Sequence, residues 1–178
     1  MIREILIWPH PILKQQAQPV QAVDAGVRTL IRDMFETMYD ARGVGLAAPQ
    51  VGVLQRVIVL DTRARQPESK PLAMINPEIV ERTGDTTYTE GCLSIPGEAE
   101  DVRRAETVVV QYLDEEGQPQ RLHCEGLLAI AVQHEIDHLD GTVFVDHLSS
   151  LKRQFIRKRM LRRKEETAPT PASGVELR

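Results

Sequence analysis

The sequence predicts an α+β fold, with small mixed or antiparallel sheets around a central helix that lies between an N-terminal and a C-terminal helix. Two observations favour this class. Three segments are predicted to be helices from their apolar patterns, and the strand-like segments are grouped between helices rather than alternating with them. The length of 178 residues suits one domain with a core of its own, which we place at residues 1–165.

The first predicted helix begins after Asp24, a residue type that caps helix N-termini. Six apolar residues then follow at the three- and four-residue spacing of a helix: Val27, Leu30, Ile31, Met34, Phe35 and Met38. We expect the helix to end near Arg42-Gly43, with Gly43 in the left-handed conformation that glycine adopts without strain. Residues 43–50 are mostly small and are predicted to form a loop or a short strand.

The middle of the chain contains short apolar segments typical of strands. The predicted strands are Arg56–Asp61, Leu72–Ile75, Glu78–Arg82, Thr107–Leu113 and Gln118–His123. The last two are joined by Asp-Glu-Glu-Gly, which favours a hairpin turn. Residues 62–71 are expected to form an exposed loop.

Two further helices are predicted in the last third of the chain. The first spans Gly126 to about Leu139, is rich in apolar residues, and is therefore expected to be central. The second runs from about Leu148 into the 160s, with an apolar stripe of Leu148, Leu151, Phe155 and Ile156. Residues 166–178 are expected to form a disordered tail.

Composition excludes several classes of protein. No apolar run approaches the length of a membrane span, and two cysteines are too few for a small disulfide-bonded scaffold. Pro9 and Pro11 interrupt the N-terminal segment, which does not match a signal peptide, so we expect a cytoplasmic protein. The net charge of −4 is uneven, because residues 152–164 carry eight Lys or Arg and no acid, against 14 basic and 26 acidic residues elsewhere. This indicates an acidic body with a basic appendage.

The segment His134-Glu-Ile-Asp-His138 indicates a metal site. Histidines at i and i+4 project from the same face of a helix and can bind one ion. Glu135 lies about 100° around the helix, where it can border the metal without binding it and take a proton from a coordinated water. Because the surrounding helix is apolar, these groups would be costly to bury without a metal.

Spacing alone does not identify the third metal ligand. Downstream of His138 the candidates are Asp140, Asp146 and His147. A thermolysin-like enzyme would need a glutamate on a later helix, but Glu165 and Glu166 directly follow the basic residues 152–164, a poor place for a buried ligand. A metzincin would need histidine at position 144, which is Phe144. Upstream, Cys92 could supply a thiolate, although an inert buried cysteine is the common alternative.

Three segments together resemble the peptide deformylase family: Gly43-Val-Gly-Leu-Ala-Ala-Pro-Gln50, Glu90-Gly-Cys-Leu-Ser94 and Gln133-His-Glu-Ile-Asp-His138. They occur in the family's order and at its usual separations, and the similarity extends over about residues 2–160. The resemblance implies a metallo-amidohydrolase that removes the N-formyl group from the formylmethionine of nascent polypeptides.

The resemblance also implies roles for individual residues. Cys92, His134 and His138 would bind one divalent metal, Fe²⁺ in most family members, with Zn²⁺, Ni²⁺ or Co²⁺ also fitting. Glu135 would be the general base and then the general acid, with the Gln50 amide and the Leu93 backbone N–H as oxyanion donors. The remaining residues with implied roles bind substrate (Gly45, Val44, Leu127, Ile130 and Ala131) or support the centre (Glu90 and Arg104).

Other interpretations remain open at this point. A zincin-type protease would use a third ligand other than Cys92, and a ribosome- or RNA-binding protein with a structural metal would have a closed four-ligand site. The basic residues 152–164 could dock on the ribosome near the tunnel exit, as bacterial family members can, or form a solvated helix. Residues 97–101, Gly-Glu-Ala-Glu-Asp, predict a more acidic substrate groove beyond methionine.

Overall fold

The computed structural model describes residues 1–167 and has the expected α+β architecture. Its helices are α1 (Ala25–Asp40), α2 (Gly126–Leu139) and α3 (Ser150–Thr167). Its strands are β1 (Gly45–Ala47), β2 (Val57–Leu60), β3 (Leu72–Thr83), β4 (Thr86–Cys92), β5 (Ile95–Arg104), β6 (Thr107–Leu113) and β7 (Pro119–Glu125). Short 3₁₀ turns span Pro11–Lys14, Ala48–Val51 and Phe144–His147. The predicted tail, residues 166–178, falls largely outside the described part of the chain.

A five-stranded antiparallel sheet in the order β1-β2-β3-β6-β7 separates α1 from α2. Alternate residues of β2 face opposite sides: Val57 and Val59 pack in the cluster with α1, while Ile58 and Leu60 pack in the cluster with α2. Burial on both faces explains why this strand is a continuous apolar run. Among residues 1–167, strand β1 lies at the end of the sheet and pairs only with β2, so its other edge has no partner strand in this part of the chain.

Helix α1 begins as predicted, since the Asp24 side chain accepts a hydrogen bond from the Val27 N–H. It ends at Asp40, close to the predicted Arg42-Gly43, but the left-handed residue is Arg42, with φ 58°, and not Gly43. The Gly43 N–H bonds Met38 O and the Arg42 N–H bonds Tyr39 O, the two bonds of a Schellman cap. Gly43 instead lies close to Leu93, since a Cβ at this position would be 2.6 Å from Leu93 Cδ1 and the leucine side chain would have to move.

Two strand predictions need correction. The segments Leu72–Ile75 and Glu78–Arg82 belong to one strand, β3, whose pairing with β6 shifts register at Asn76-Pro77. Asn76 adopts φ 50°, and its side chain bonds the backbone N–H and C=O of Val20. Strands β4 and β5 were not predicted, and they form a separate two-stranded sheet. Their sequence is mostly polar, so no apolar alternation marked them.

The third helix is present, but half of its predicted apolar stripe is wrong. Leu151 is 62% exposed and Phe155 is 54% exposed, whereas Ile156 and Met160 are buried. These two residues pack with Trp8, Ile95 and other apolar residues in a third cluster. The face of α3 that contacts the body is therefore rotated relative to the predicted one. Within residues 1–167, no helix has the length and apolar character needed to cross a membrane.

Candidate metal centre and substrate cavity

Helix α2 and the end of β4 bring Cys92, His134 and His138 together. One ligand atom from each lies within 4.8 Å of the other two, and Cys92 Sγ is 3.3 Å from His138 Nε2. In a tetrahedral zinc-type site with metal–sulfur and metal–nitrogen bonds of ~2.3 and ~2.1 Å, the sulfur–nitrogen edge is roughly 3.5 Å. The distance from Cys92 to His138 is therefore close to that of two donors on one ion, and the three residues could hold a single metal ion.

The other candidate ligands make contacts with residues outside this trio. Asp140 pairs with Arg56, Asp146 accepts the Val143 N–H, and His147 bonds Asp137. In residues 1–167, the trio that includes Cys92 is the only group of His, Cys, Asp or Glu that meets the geometry of a metal site. Three protein ligands are typical of a catalytic site, and four of a closed structural one.

Glu90 and Arg104 orient His134. The Nδ1–H of His134 donates to Glu90 Oε1 at 2.8 Å, because a carboxylate can only accept. Arg104 holds the same carboxylate through two bonds of 2.7 and 2.8 Å. Burial opposes ionisation of Glu90, but the hydrogen bonds from Arg104 and His134 hold its pKa below the usual range. The charged carboxylate fixes the tautomer in which Nε2 of His134 presents its lone pair towards Cys92.

Two residues of this network were missed by sequence reasoning. Asp137 accepts a 2.6 Å bond from Arg104 and lies 2.8 Å from Nε2 of His147, which was considered above only as a candidate metal ligand. Asp137 stands inside the histidine motif, so its position could have been noticed. The contact with His147 depends on how the 3₁₀ turn after α2 folds back, and no spacing rule predicts that.

Glu135 packs over Gly45 of the edge strand β1. A Cβ on Gly45 would come within 2.6 Å of Glu135 Oε1, so glycine is required for this close approach. Its Oε1 is 4.0 Å from His134 Nε2, and Oε2 has no hydrogen-bond partner among residues 1–167. Burial raises the pKa of Glu135 to about 7. A carboxyl group in this state can both accept and return a proton near neutral pH.

The side chain of Gln50 is held in one orientation. Its Oε1 accepts the Ala47 N–H at 2.9 Å, which directs the amide nitrogen to Ser94 Oγ at 3.1 Å and towards Cys92 Sγ at 3.6 Å. The amide N–H groups thus point at the centre. Ser94 is fully buried and was not given a role from sequence.

A cavity of about 600 Å³ opens beside these groups. All the residues predicted to bind substrate line it: Val44, Gly45, Leu127, Ile130 and Ala131. Leu93 and the start of β5, Ile95–Glu98, also line it. The volume is typical of a site for a small molecule or a short peptide segment.

Comparison with known proteins gives one consistent result. The profile of the family described as polypeptide deformylase matches residues 2–154. The chain is similar to a peptide deformylase of Alkalilimnicola ehrlichii, with 56% identity over 89% of each chain. It is also similar to the crystal structure of a peptide deformylase from Legionella pneumophila, with a TM-score of 0.88 and 48% identity over 96% of this chain and 100% of that one. A peptide deformylase from Ehrlichia chaffeensis in complex with actinonin has a TM-score of 0.88 at 40% identity, over 93% and 99%.

Proposed function

Since the chain belongs to the peptide deformylase family, we propose that the cavity beside the metal centre is where it carries out the family reaction. The enzyme removes the N-formyl group from the N-terminus of nascent polypeptides and releases formate. One observation supports the assignment most directly: the sulfur and nitrogen atoms of Cys92, His134 and His138 converge beside the buried carboxyl group of Glu135. We propose that residues 1–165 act as one catalytic domain in the cytoplasm, where nascent chains are made.

We propose that Cys92, His134 and His138 hold one divalent ion. A bound ion would supply an acidified water and positive charge beside the formyl oxygen. By resemblance Fe²⁺ is the proposed ion, and the mixed sulfur and nitrogen donors also suit Zn²⁺, Ni²⁺ or Co²⁺. The side chains of Glu90 and Arg104 would keep His134 in its binding tautomer whichever ion is present.

Glu135 is the proposed proton carrier. Its unpartnered Oε2 would take a proton from the attacking water and return it to the leaving amine, steps for which a pKa near neutrality is suited. The Gln50 amide and the Leu93 N–H would donate to the oxyanion that forms on the formyl oxygen. Because Gln50 is already held by Ala47 and Ser94, its donor would not have to reorganise as charge develops.

The proposed substrate pose follows from the free edge of β1. A peptide backbone can add to this edge as a further strand, next to Gly45 and Val44. The methionine side chain would then lie in the aliphatic part of the cavity formed by Leu127, Ile130 and Ala131.

The ligand proposal is tested with the two cysteines as a matched pair. Cys92→Ser should lose the bound metal and the activity, because a hydroxyl is a far weaker ligand than a thiolate. Cys124→Ser should retain both, since Cys124 is buried in an apolar cluster away from the centre. Metal content after anaerobic loading with Fe²⁺ or Zn²⁺ is the measurement. Full metal content in the Cys92 variant would contradict the ligand set.

The roles of Glu135 and Gln50 are tested in metal-loaded protein. Glu135→Gln should keep the metal and lose most turnover of formyl-Met peptide, because an amide cannot accept the proton. Gln50→Ala should keep the metal and lose roughly 10²-fold in kcat. Turnover close to the parent's in Glu135→Gln would show that another group carries the proton.

We propose that α3 also docks on the ribosome. Its basic residues fall into two sets. Lys152, Arg153, Arg159 and Arg163 pair with acidic residues of the body, while Arg157, Lys158, Arg162 and Lys164 have no ion pair within residues 1–167. The unpaired set is available to phosphate groups of ribosomal RNA, which attract cations through counterion release.

Charge reversal of the unpaired set tests ribosome docking without breaking contacts of α3. Arg157, Lys158 and Arg162 changed to Glu should abolish salt-sensitive co-sedimentation with ribosomes. The matched control changes three exposed basic residues elsewhere, Arg32, Lys70 and Arg82, to Glu. Equal binding by both variants would leave α3 without a docking role.

A further inference from the structure

The charged residues at the rim of the substrate cavity are not balanced. Apart from the groups of the metal centre and Glu90, which Arg104 neutralises, the cavity is lined by three ionisable groups that are charged at neutral pH. These are Arg42, Arg65 and Glu98. The net charge that faces a bound peptide therefore depends on whether the charge of Glu98 is neutralised by another residue.

Glu98 is neutralised by α3. Arg159 donates to both of its oxygens at 2.8 and 2.9 Å, and Arg163 lies 3.2 Å from Oε1. Arg163 also donates to the Pro96 carbonyl at 2.6 Å, which ties the cavity wall to the helix. The Glu98 side chain is only 9% exposed, and the hydrogen bonds from Arg159 lower its pKa. The acidic groove predicted from residues 97–101 is therefore wrong at Glu98, the one acid of that segment that lines the cavity.

The two arginines of the rim lack acidic partners. Within residues 1–167 the Arg42 guanidinium makes neither an ion pair nor a hydrogen bond, and Arg65 donates to the neutral hydroxyl of Tyr88 at 2.7 Å. Arg42 also occupies the left-handed position of the α1 cap, where glycine is the unstrained choice. A side chain held at this unfavourable backbone position, at the mouth of the cavity, suggests a role in binding.

The position of Arg42 just before β1 indicates which part of a peptide it would meet. Gly45 contacts Glu135, and Val44 and Gly43 separate Gly45 from Arg42. Even a fully extended chain rises only ~3.3 Å per residue, and Arg42 lies in a left-handed turn, so Arg42 is at most about 10 Å from Gly45. A peptide paired with this edge would bring its second to fourth residues beside Arg42.

We propose that Arg42 and Arg65 make the enzyme select nascent chains with an acidic side chain at the second to fourth residue, and that Arg159 and Arg163 permit this by neutralising Glu98. This specificity rests on the proposed function of the cavity. Exposed opposite charges attract each other only weakly, but the comparison of Glu with Lys includes both attraction and repulsion. We therefore expect a ratio of roughly three- to tenfold at low salt.

The experiment uses formyl-Met-Ala-Ala-Ala amide and versions with one Glu, Gln or Lys at the second, third or fourth position. The measurement is kcat/KM of the metal-loaded full chain in 20 mM and 500 mM NaCl. At one position or more, the parent should prefer Glu to Lys by roughly three- to tenfold in low salt, with Gln between them and the ratio smaller in high salt. Equal rates for Glu and Lys at all three positions would overturn the proposal.

Three variants separate this effect from folding. Arg42→Gly suits the left-handed backbone, so it should not lower Tm, yet it should reduce the Glu to Lys ratio at least twofold. Arg42→Lys should retain the ratio. The double variant Arg159→Gln, Arg163→Gln should leave Glu98 unpaired and shift the preference towards Lys, whereas the exposed control Arg82→Gln should not change it.

An unchanged ratio in Arg42→Gly, or in the double variant of α3, would contradict the assignment of these residues. The neutral peptide distinguishes the two proposals. If the parent did not deformylate formyl-Met-Ala-Ala-Ala at all, the proposed function of the cavity would fail rather than its charge preference.

Discussion

The Arg104–Glu90 pair and the Arg159–Glu98 pair are both ion pairs between a guanidinium and a carboxylate, but their surroundings differ. Arg104 and Glu90 are 5% and 3% exposed, and both also bond residues of the metal centre's α2 helix. Arg159 is 47% exposed and lies on a surface helix, and its partner Glu98 has a second cation, Arg163, at 3.2 Å. Loss of Arg159 therefore leaves Glu98 with a partner, whereas loss of Arg104 leaves Glu90 buried without a guanidinium, so the two pairs should respond very differently to the loss of the arginine.

The largest expected effect comes from breaking the buried pair. Arg104→Gln would leave the Glu90 carboxylate buried without its guanidinium, which should lower the free energy of unfolding by about 3–5 kcal/mol. Urea unfolding at fixed metal concentration is the measurement. A loss below about 1 kcal/mol would show that water or another cation reaches Glu90.

A double variant sharpens the same comparison. Arg104→Met combined with Glu90→Leu removes both charges and should recover much of the stability lost in the single variant. Activity should not recover, because His134 Nδ1 would have lost the acceptor that holds its tautomer. Recovery of both stability and turnover would assign the pair a purely structural role.

An intermediate effect is expected from the apolar residues of α3. Ile156→Ala should cost about 2–4 kcal/mol, because Ile156 is fully buried in the cluster with Trp8 and Ile95. Its neighbour Phe155 is the matched control, and Phe155→Ala should change stability by less than about 0.5 kcal/mol. Thermal unfolding of both variants tests which face of α3 packs on the rest of the protein. A larger loss of stability in Phe155→Ala than in Ile156→Ala would support the apolar stripe predicted from sequence.

The smallest effect is expected at the surface pair. Arg159→Gln should lower the thermal unfolding midpoint only slightly, and the difference from the parent should shrink at 500 mM NaCl. Arg157→Gln, two residues earlier on α3 and without an ion pair in the described residues, should have no measurable effect at either salt concentration. A loss that persisted in high salt would mean that the pair is less accessible to ions than its exposure indicates.

Much of the metal centre could be predicted because two of the three proposed ligands and the proposed base lie close together in the sequence. Two histidines four residues apart on an apolar helix, with a glutamate between them, predict a shared ion and a nearby base from helix geometry alone. Helix α2 was predicted with its observed bounds, and β6 likewise, because both have clear apolar patterns between turn residues. The third ligand could not be derived in this way, since Cys92 lies 42 residues before His134 and only the resemblance selected it.

The structure decided the features that depend on contacts between distant segments. Sequence by itself determined the helices, most of the central sheet, the histidine motif and the family. Only the tertiary structure showed that Gly43 and Gly45 allow Leu93 and Glu135 to approach the backbone, that Asp137 and His147 extend the Arg104 network, and that α3 neutralises Glu98. The physical reason is that periodicity reports which face of one element is buried, whereas a close approach or an ion pair depends on the relative placement of two elements far apart in the chain.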